Sequence, residues 1–261
     1  MSAETVQSDS MEVEIAVVSK PGGREVNEDA CGYWTSDDYC CQVLSDGAGG
    51  HGAGDVASKV VVRTVLQAFR AAPACTPETV AALLEEANRN VLKEQGDHPD
   101  QADMRATAAV LILDRVKSCA VWGHLGDSRV YCFRGGRLVS QTRDHSVVQA
   151  MIDAGFLDAG SIRSNPKRSV LTAAVGNGEE CAPALLETPA VLTGEEVFLI
   201  CSDGFWEYVD EQRMEQELEQ ASGPEAWLKA MEEELLRKAR PNHDNYSAIA
   251  VRLRTQSAFF F

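Results

Sequence analysis

Apolar residues occur along the chain in short runs, most of which show the two-residue period or the unbroken hydrophobicity of β-strands. Residues 11–19 alternate first, as Met-Glu-Val-Glu-Ile, and then become continuously apolar. The turn Ser36-Asp37-Asp38 separates the next two runs. The pattern predicts strands at residues 11–19, 30–34, 39–44, 105–113, 117–125, 129–133, 137–140, 185–192, 196–201 and 246–253.

Other segments have apolar residues at helical spacing, as Val56, Val60 and Val61 do. The second such segment begins Thr76-Pro77-Glu78. Threonine caps a helix, proline suits its first position, and glutamate favours its positive end. The pattern predicts helices at residues 52–70, 77–95, 145–154, 211–220 and 224–238.

The predicted strands cluster, and the longer helices come in consecutive pairs, unlike the alternation of strand and helix in a parallel sheet. This order predicts an α+β fold in which antiparallel strands form a sheet or a sandwich with helix pairs laid over it. No Pro/Ser-rich linker divides the chain, so a single domain is expected.

Charge narrows the range of partners. The chain carries 24 Lys+Arg against 40 Asp+Glu, a formal net charge of −16. Such an acidic protein should repel nucleic acid and anionic membranes, so neither is expected as a main partner.

The cysteines form no C-x-x-C pair, and most stand beside Val, Leu or Ile, so we expect buried, reduced thiols. They are Cys31, Cys40, Cys41, Cys75, Cys119, Cys132, Cys181 and Cys201. The amino terminus shows no secretory signal, and no apolar run is long enough to cross a bilayer, which predicts a soluble, cytoplasmic protein.

The stretch SDGAGGHGAG, residues 45–54, contains a possible dinucleotide fingerprint, G-x-G-x-x-G, at Gly47, Gly49 and Gly52. The fingerprint expects an acidic residue about 20 positions further on, at the end of a second strand. Between Asp55 and Glu78 the chain has no Asp or Glu, and a second helix follows the first. The sequence therefore disfavours the hypothesis that the chain is a nucleotide-binding oxidoreductase.

Aspartates stand at the ends of several predicted strands. Asp46 and Asp203 each follow an apolar run and precede a glycine, while Asp127, Asp244 and Asp29 flank other runs. Strand ends on one rim of a sheet can converge, and clustered carboxylates are costly unless cations neutralise them. Oxygen-only ligands favour Mg²⁺ or Mn²⁺ over zinc. These positions predict a site for hard divalent ions.

The chain resembles the PPM family of metal-dependent, type 2C protein serine/threonine phosphatases, in its small stand-alone bacterial form. The motifs that carry the resemblance occur in the family's order: Arg24 with Glu28-Asp29, SDGAGGH (45–51), ATAAV (106–110), GDSR (126–129), TRDHS (142–146), LTAAVG (171–176), SDGFWE (202–207) and DNYSAIAV (244–251). The resemblance spans a catalytic domain over residues 11–254, between a flexible amino terminus, 1–10, and a tail, 255–261.

The resemblance implies a central sandwich of two antiparallel β-sheets with helix pairs on both outer faces. It implies hydrolysis of phosphoserine and phosphothreonine in proteins by a hydroxide held between two Mn²⁺ or Mg²⁺ ions. Such an enzyme reverses a Ser/Thr kinase signal, so the expected partners are phosphoproteins and a cognate kinase, with the chain a monomer.

Site roles follow from the same resemblance. Asp46 would bridge the two metal ions, and the Gly47 carbonyl would join the second. Asp203 and Asp244 would complete the ligands of the first. Asp127, with Asp203, would hold a weaker third ion.

Glu28 and Asp29 would act mainly through metal-bound waters, and Arg24 would bind the substrate phosphate. A planar guanidinium can grip two phosphoryl oxygens where lysine cannot. A catalytically silent scaffold is the alternative, but silent relatives lose metal aspartates that this chain keeps.

Departures from the family pattern limit the transfer of roles. Many animal and plant members have a histidine two places after the metal aspartate, where this chain has Ala48. His51 is therefore expected to cap or pack near a helix start, and His145 and Arg129 are expected to be structural. Residues 146–170 resemble the family's mobile flap beside the site.

Overall fold

The computed structural model describes residues 11–49, 53–178 and 182–255. His51, the amino-terminal residues 1–10 and the residues after 255 lie outside these ranges, so the expectations for them stay predictions. In the described part, no helix combines the length and apolar character needed to cross a membrane.

The described chain contains twelve strands and six α-helices, arranged as groups of consecutive strands followed by groups of consecutive helices. The strands are β1 Met11–Lys20, β2 Asp29–Thr35, β3 Tyr39–Ala48, β4 Arg105–Ala106, β5 Ala108–Asp114, β6 Cys119–Leu125, β7 Arg129–Arg134, β8 Arg137–Gln141, β9 Ala184–Leu185, β10 Ala190–Val191, β11 Glu196–Cys201 and β12 Tyr246–Thr255. The helices are α1 Ala53–Ala71, α2 Pro77–Asp97, α3 Val147–Asp153, α4 Asp203–Trp206, α5 Glu211–Gln220 and α6 Pro224–Lys238.

The strands form two sheets, and each pairing is antiparallel. Sheet I has the order β1-β12-β11-β7-β8. Sheet II has the order β10-β6-β5-β3-β2, with β4 paired to β3 and β9 paired to β6. The predicted α+β sandwich of two antiparallel sheets is confirmed.

Side chains from one strand enter two different hydrophobic cores. In β5, Val110 and Ile112 pack with α1 and α2, whereas Leu111 and Leu113 pack between the sheets. Sheet I also packs against helices on one face, since Leu199 of β11 packs with α5 and α6. Both faces of these strands are buried, which explains why the sequence reads as an unbroken apolar run there.

Some predicted boundaries were wrong. Residues 185–192 form two short strands, β9 and β10, instead of one. Pro189, which has no N–H to donate to a strand ladder, stands directly before β10. The predicted strand 105–113 is interrupted at Thr107, and the predicted helix 145–154 begins only at Val147, after the cap Ser146. The turn of helix α4 was not predicted.

Seven described cysteines are free thiols, and Cys40, Cys41, Cys75, Cys132 and Cys201 are buried. Burial raises the pKa of Cys40 to about 11, so that thiol is protonated at neutral pH. The predicted burial is confirmed for these five cysteines. Cys181 lies outside the described residues.

Candidate active site

Ends of strands from both sheets meet at one rim of the sandwich. Asp46 near the end of β3 is paired with Asp29 at the start of β2 in sheet II. In sheet I, β11 and β12 are antiparallel neighbours, so Asp203 after β11 lies beside Asp244 before β12. Ser202 joins the two sheets, since its Oγ donates to Asp29 Oδ2 at 2.8 Å.

These residues surround a cavity of about 540 Å³. Seven of the eight residues predicted for the site line it: Arg24, Glu28, Asp46, Gly47, Asp127, Asp203 and Asp244. The eighth, Asp29, lies buried behind Asp46 as its cross-strand partner. The structure therefore brings all of the predicted residues to one place.

The carboxyl groups share a region poor in water and rich in negative charge. Burial raises the pKa of Asp46 well above its usual range, and the charges of Asp29, Asp203 and Asp127 raise it further. Burial raises the pKa of Asp203 as well, and the charge of Asp244 adds to this. Burial and like charge both disfavour the ionised form, so the metal-free cluster favours retaining protons.

Asp29 has a related environment. Burial, followed by the charges of Asp203 and Asp244, raises its pKa to about 7, against the opposing effect of the serine hydroxyls. Its Oδ1 atom is buried and has no hydrogen-bond partner in the described part of the chain. A buried carboxylate oxygen without a partner is costly unless a cation or an ordered water meets it.

The pKa values of Glu28 and Asp127 are also raised. Burial raises the pKa of Glu28, as does the charge of Asp244. Burial raises the pKa of Asp127 well above its usual range, with added effects from Asp203 and Asp144. A cluster with this many raised pKa values is typical of a functional site.

Arg24 lies at the mouth of the cavity and is paired to Asp244 across 3.0 Å. The pair is solvent-accessible, with side chains 55% and 41% exposed. Among the described residues, no group of three or more His, Cys, Asp or Glu is placed to hold a metal as the side chains stand. The Arg24–Asp244 contact is one reason, because it occupies an oxygen of one candidate ligand.

The glycine after each of two aspartates is required by close backbone approach. A Cβ atom on Gly47 would lie 2.1 Å from the Gly54 carbonyl oxygen at the start of α1. A Cβ atom on Gly204 would lie 2.0 Å from the Asn245 carbonyl oxygen. In both Ser-Asp-Gly sequences, the glycine therefore lets a neighbouring chain segment come closer to the backbone beside the aspartate than a residue with a Cβ atom would allow.

Residues that were not singled out from the sequence position the site. Thr107 Oγ1 accepts from the Asp46 N–H at 2.9 Å and shares a 2.6 Å hydrogen bond with Ser128 Oγ. Asn245 Oδ1 accepts from the Glu28 N–H at 2.9 Å. The motifs ATAAV, GDSR and DNYSAIAV contained these residues, but their polar contacts cross between distant segments and leave no local pattern.

Arg129 and His145 have structural roles, as expected. Arg129 makes a bidentate contact to Asp144, at 2.7 and 2.8 Å, and its guanidinium lies 3.7 Å from the centre of the Trp206 ring. His145 Nδ1 accepts from the Gly126 N–H at 3.2 Å and its ring stacks on that of His124.

The flap segment, residues 146–170, is tied to the helices beside the site. Arg163 donates to the Trp206 carbonyl at 2.9 Å and to Glu211 at 2.8 Å. Arg168 pairs with Glu207, and Ser169, at the end of the segment, lines the cavity. Two arginine contacts therefore hold the flap against α4 and α5.

The family model described as Protein phosphatase 2C matches residues 22–240. The chain is also 30% identical, over 198 residues, to the serine/threonine phosphatase stp of Listeria welshimeri. This alignment covers 74% of this chain and 77% of that protein.

Solved structures share the fold. PppA, described as a key regulatory component of T6SS in Pseudomonas aeruginosa, has a TM-score of 0.74 and 31% identity, covering 92% of this chain and 97% of that one. The catalytic domain of the phosphatase PstP, solved with two manganese ions, has a TM-score of 0.80 at 24% identity, covering 94% and 100%.

Proposed function

The chain belongs to the protein phosphatase 2C family, and from this premise we propose how its own residues carry out the reaction. It is a metal-dependent serine/threonine protein phosphatase, which removes phosphate from phosphoserine and phosphothreonine in proteins. The residue roles and the number of metal ions described below are our proposal.

The carboxyl cluster suits hard divalent ions. Its donors are all oxygen atoms, which Mn²⁺ and Mg²⁺ prefer. The buried, unpartnered Oδ1 of Asp29 supports an ordered water or cation beside it. The raised pKa of Asp46 supports the same reading, because bound cations would relieve the repulsion that keeps the group protonated.

We assign two metal ions to the cavity, with a weaker third. Asp46, the Gly47 carbonyl, Asp203 and Asp244 would hold the first two ions, with Asp46 serving both. Such ions supply an activated water and withdraw charge from the phosphoryl oxygens.

The remaining acidic residues act around this centre. Glu28 and Asp29 would orient water at the metal ions, and Asp127 with Asp203 would hold the third, weaker ion. Ser202 fixes the Asp29 carboxyl group, and Thr107 fixes the backbone of Asp46. These contacts hold the ligands in place before substrate arrives, which reduces the reorganisation needed during the reaction.

Arg24 binds the phosphate of the substrate. In the structure its guanidinium is held by Asp244, so both residues take up their roles only when this contact opens. An exposed ion pair contributes about 0–1 kcal/mol, so opening it is inexpensive. The doubly negative phosphate then replaces Asp244 as the partner of Arg24, and the Asp244 oxygens become available.

One observation carries this proposal: carboxyl groups from separate strand ends of both sheets line one cavity together with an arginine. The test is hydrolysis of p-nitrophenyl phosphate and of a phosphothreonine peptide, with and without Mn²⁺. We expect activity to need the metal and to fall more than about a hundredfold in Asp46→Ala. Equal activity in excess chelator would remove the proposed mechanism.

The substrates are phosphoproteins made by a Ser/Thr kinase, and we propose that the chain acts on them as a monomer in the cytoplasm. Light scattering of the purified protein tests whether it is a monomer. A stable dimer at micromolar concentration would contradict it.

A further inference from the structure

Arg105 is a second cation at the wall of the cavity. The positively charged side chains among the described lining residues are Arg24 and Arg105. The Arg105 side chain is exposed and makes no hydrogen bond or ion pair with any residue that the structure describes. Arg24, Arg129 and Arg168, by contrast, each contact a carboxylate. The donors of the Arg105 guanidinium are therefore available to a bound molecule.

The backbone that carries Arg105 is held in place. Arg105 is paired with Ala48 in the β3–β4 ladder. The next residue, Ala106, exchanges two hydrogen bonds with Val175, at 3.1 and 2.8 Å, and the preceding Met104 carbonyl accepts from Gln95 Nε2 at 2.7 Å. The side chain thus extends from a fixed point on the cavity rim.

The position of Arg105 differs from that of the proposed phosphate-binding arginine. Its strand partner, Ala48, is two residues beyond Asp46 along β3, a displacement of about 7 Å. An extended substrate peptide covers the same distance in about two residues. Arg105 is therefore placed to meet a neighbour of the phosphorylated residue.

The surrounding charge indicates what that neighbour is. Glu28, Asp46, Asp127, Asp203 and Asp244 line the same cavity, and the chain carries a formal net charge of −16. An acidic substrate side chain near this cluster is repelled unless a cation meets it. An unpaired guanidinium forms two parallel hydrogen bonds to a carboxylate or a phosphate.

We propose that Arg105 determines substrate specificity by binding an anionic side chain, carboxylate or phosphate, within about two residues of the phosphoserine or phosphothreonine under attack. The inference rests on the proposed function, because it places that residue's phosphate at Arg24 and the carboxyl cluster. It adds a preference for acidic or multiply phosphorylated segments.

The test compares kcat/KM, with Mn²⁺, on matched phosphothreonine peptides. Their neighbouring positions carry alanine, glutamate, phosphoserine or lysine. The enzymes are the wild type, Arg105→Ala, Arg105→Lys and Arg105→Glu. Arg89→Ala is the matched control, since Arg89 is an exposed arginine of α2 that does not line the cavity. Phosphate release is measured for each peptide, and p-nitrophenyl phosphate serves as an additional substrate.

We expect the wild type to favour the glutamate or phosphoserine peptide over the alanine peptide. Arg105→Ala should reduce that ratio about three- to tenfold, Arg105→Glu should invert it, and Arg105→Lys should keep part of it. The Arg89→Ala control should match the wild-type ratio. Separate responses to the glutamate and phosphoserine peptides tell which anion is preferred.

An acidic-to-neutral ratio that is the same in wild type, Arg105→Ala and Arg105→Glu overturns the inference. Equal losses on every peptide and on p-nitrophenyl phosphate overturn it as well, since they place Arg105 on the phosphate being cleaved. Failure of the proposed function looks different, because the wild type would then cleave none of these substrates with Mn²⁺.

Discussion

At the scale of single residues, the site depends on charges that the folded chain forces together. Asp46 and Asp203 line the same cavity, and burial together with the charges of neighbouring carboxyl groups raises the pKa of both. Arg24 and Arg105 are the cations nearest this charge among the described lining residues. The roles of the two arginines differ because one is paired to a carboxylate and the other is free to meet a ligand.

Replacing Arg24 tests the phosphate role. We expect Arg24→Ala to lower kcat/KM on p-nitrophenyl phosphate by about a hundred- to a thousandfold, because a group that stabilises charge in the transition state is lost. Arg24→Lys should retain only part of the wild-type kcat/KM, since an ammonium cannot form two parallel hydrogen bonds to the phosphate.

Stability separates this effect from unfolding. The melting temperature of Arg24→Ala should stay close to that of wild type, because the Arg24–Asp244 pair is exposed. Arg70→Ala, at the exposed end of α1, is the control and should keep wild-type kinetics. Activity of Arg24→Ala within about threefold of wild type would exclude the assigned role.

At the scale of elements, short connections set the position of the ligands. The turn from β11 into α4 places Asp203, and it is packed against the chain entering β12 at Asn245. Gly204 permits that contact. The flap is held by Arg163 and Arg168 to the same α4–α5 region. Placement of the proposed metal ligands Asp203 and Asp244, and of the flap, therefore depends on one helical turn.

Adding a methyl group at Gly204 tests this packing. Gly204→Ala forces a Cβ atom to within 2.0 Å of the Asn245 carbonyl oxygen. Relief of that clash requires a backbone shift, which should cost about 1–3 kcal/mol of the free energy of unfolding. It should also weaken Mn²⁺ binding, since both Asp203 and Asp244 move.

Gly96→Ala is the matched control. A Cβ atom at Gly96, inside α2, meets nothing within 4 Å. We expect this change to stabilise the protein by about 0.5–1 kcal/mol in urea unfolding, because alanine favours a helix. If the two glycine variants were equally stable, the close approach at Gly204 would have no energetic importance.

At the scale of the whole molecule, the carboxyl cluster links folding to protons and metal ions. Burial raises the pKa of Asp29 to about 7 and that of Asp46 well above its usual range. The folded, metal-free chain therefore binds more protons than the unfolded chain above pH 4. Stability is greatest below the unfolded pKa of these groups and is lost as pH rises to their folded values.

We therefore expect the metal-free protein to lose stability between about pH 4.5 and 7, in thermal or urea unfolding. Glu234, with a pKa lowered to about 2, acts in the opposite direction only at more acidic pH. Burial also lowers the pKa of His145 and that of His124, the latter to about 4, which opposes the loss within this range, but the raised carboxyl groups of Asp29, Asp46, Asp127 and Asp203 outnumber the two histidines. Mn²⁺ at a hundredfold excess over its Kd should restore about 2.7 kcal/mol at pH 7.

Asp46→Asn separates the site from the rest of the molecule. Without metal at pH 7 this variant should be more stable than wild type, because asparagine, unlike Asp46, does not have to bind a proton when the chain folds. With Mn²⁺ it should gain little stability, since the shared ligand is lost. A wild type that is insensitive to Mn²⁺ and whose stability does not fall between pH 4.5 and 7 would contradict the linkage.

The sequence determined the elements and the chemical character of the site. Hydrophobic period depends on near neighbours along the chain, so β1, β11, α1 and α6 were predicted closely. The aspartates flanking strands, read with the ordered motifs, pointed to the metal-dependent phosphatase family before any contact was known.

Only the tertiary structure decided which distant groups meet. The Ser202–Asp29 hydrogen bond and the Arg24–Asp244 pair depend on strand register between segments far apart in the chain. The location of Arg105 on the cavity rim depends on the same register. Local pattern carries no record of such register, because it arises from packing both sheets and their helices at once.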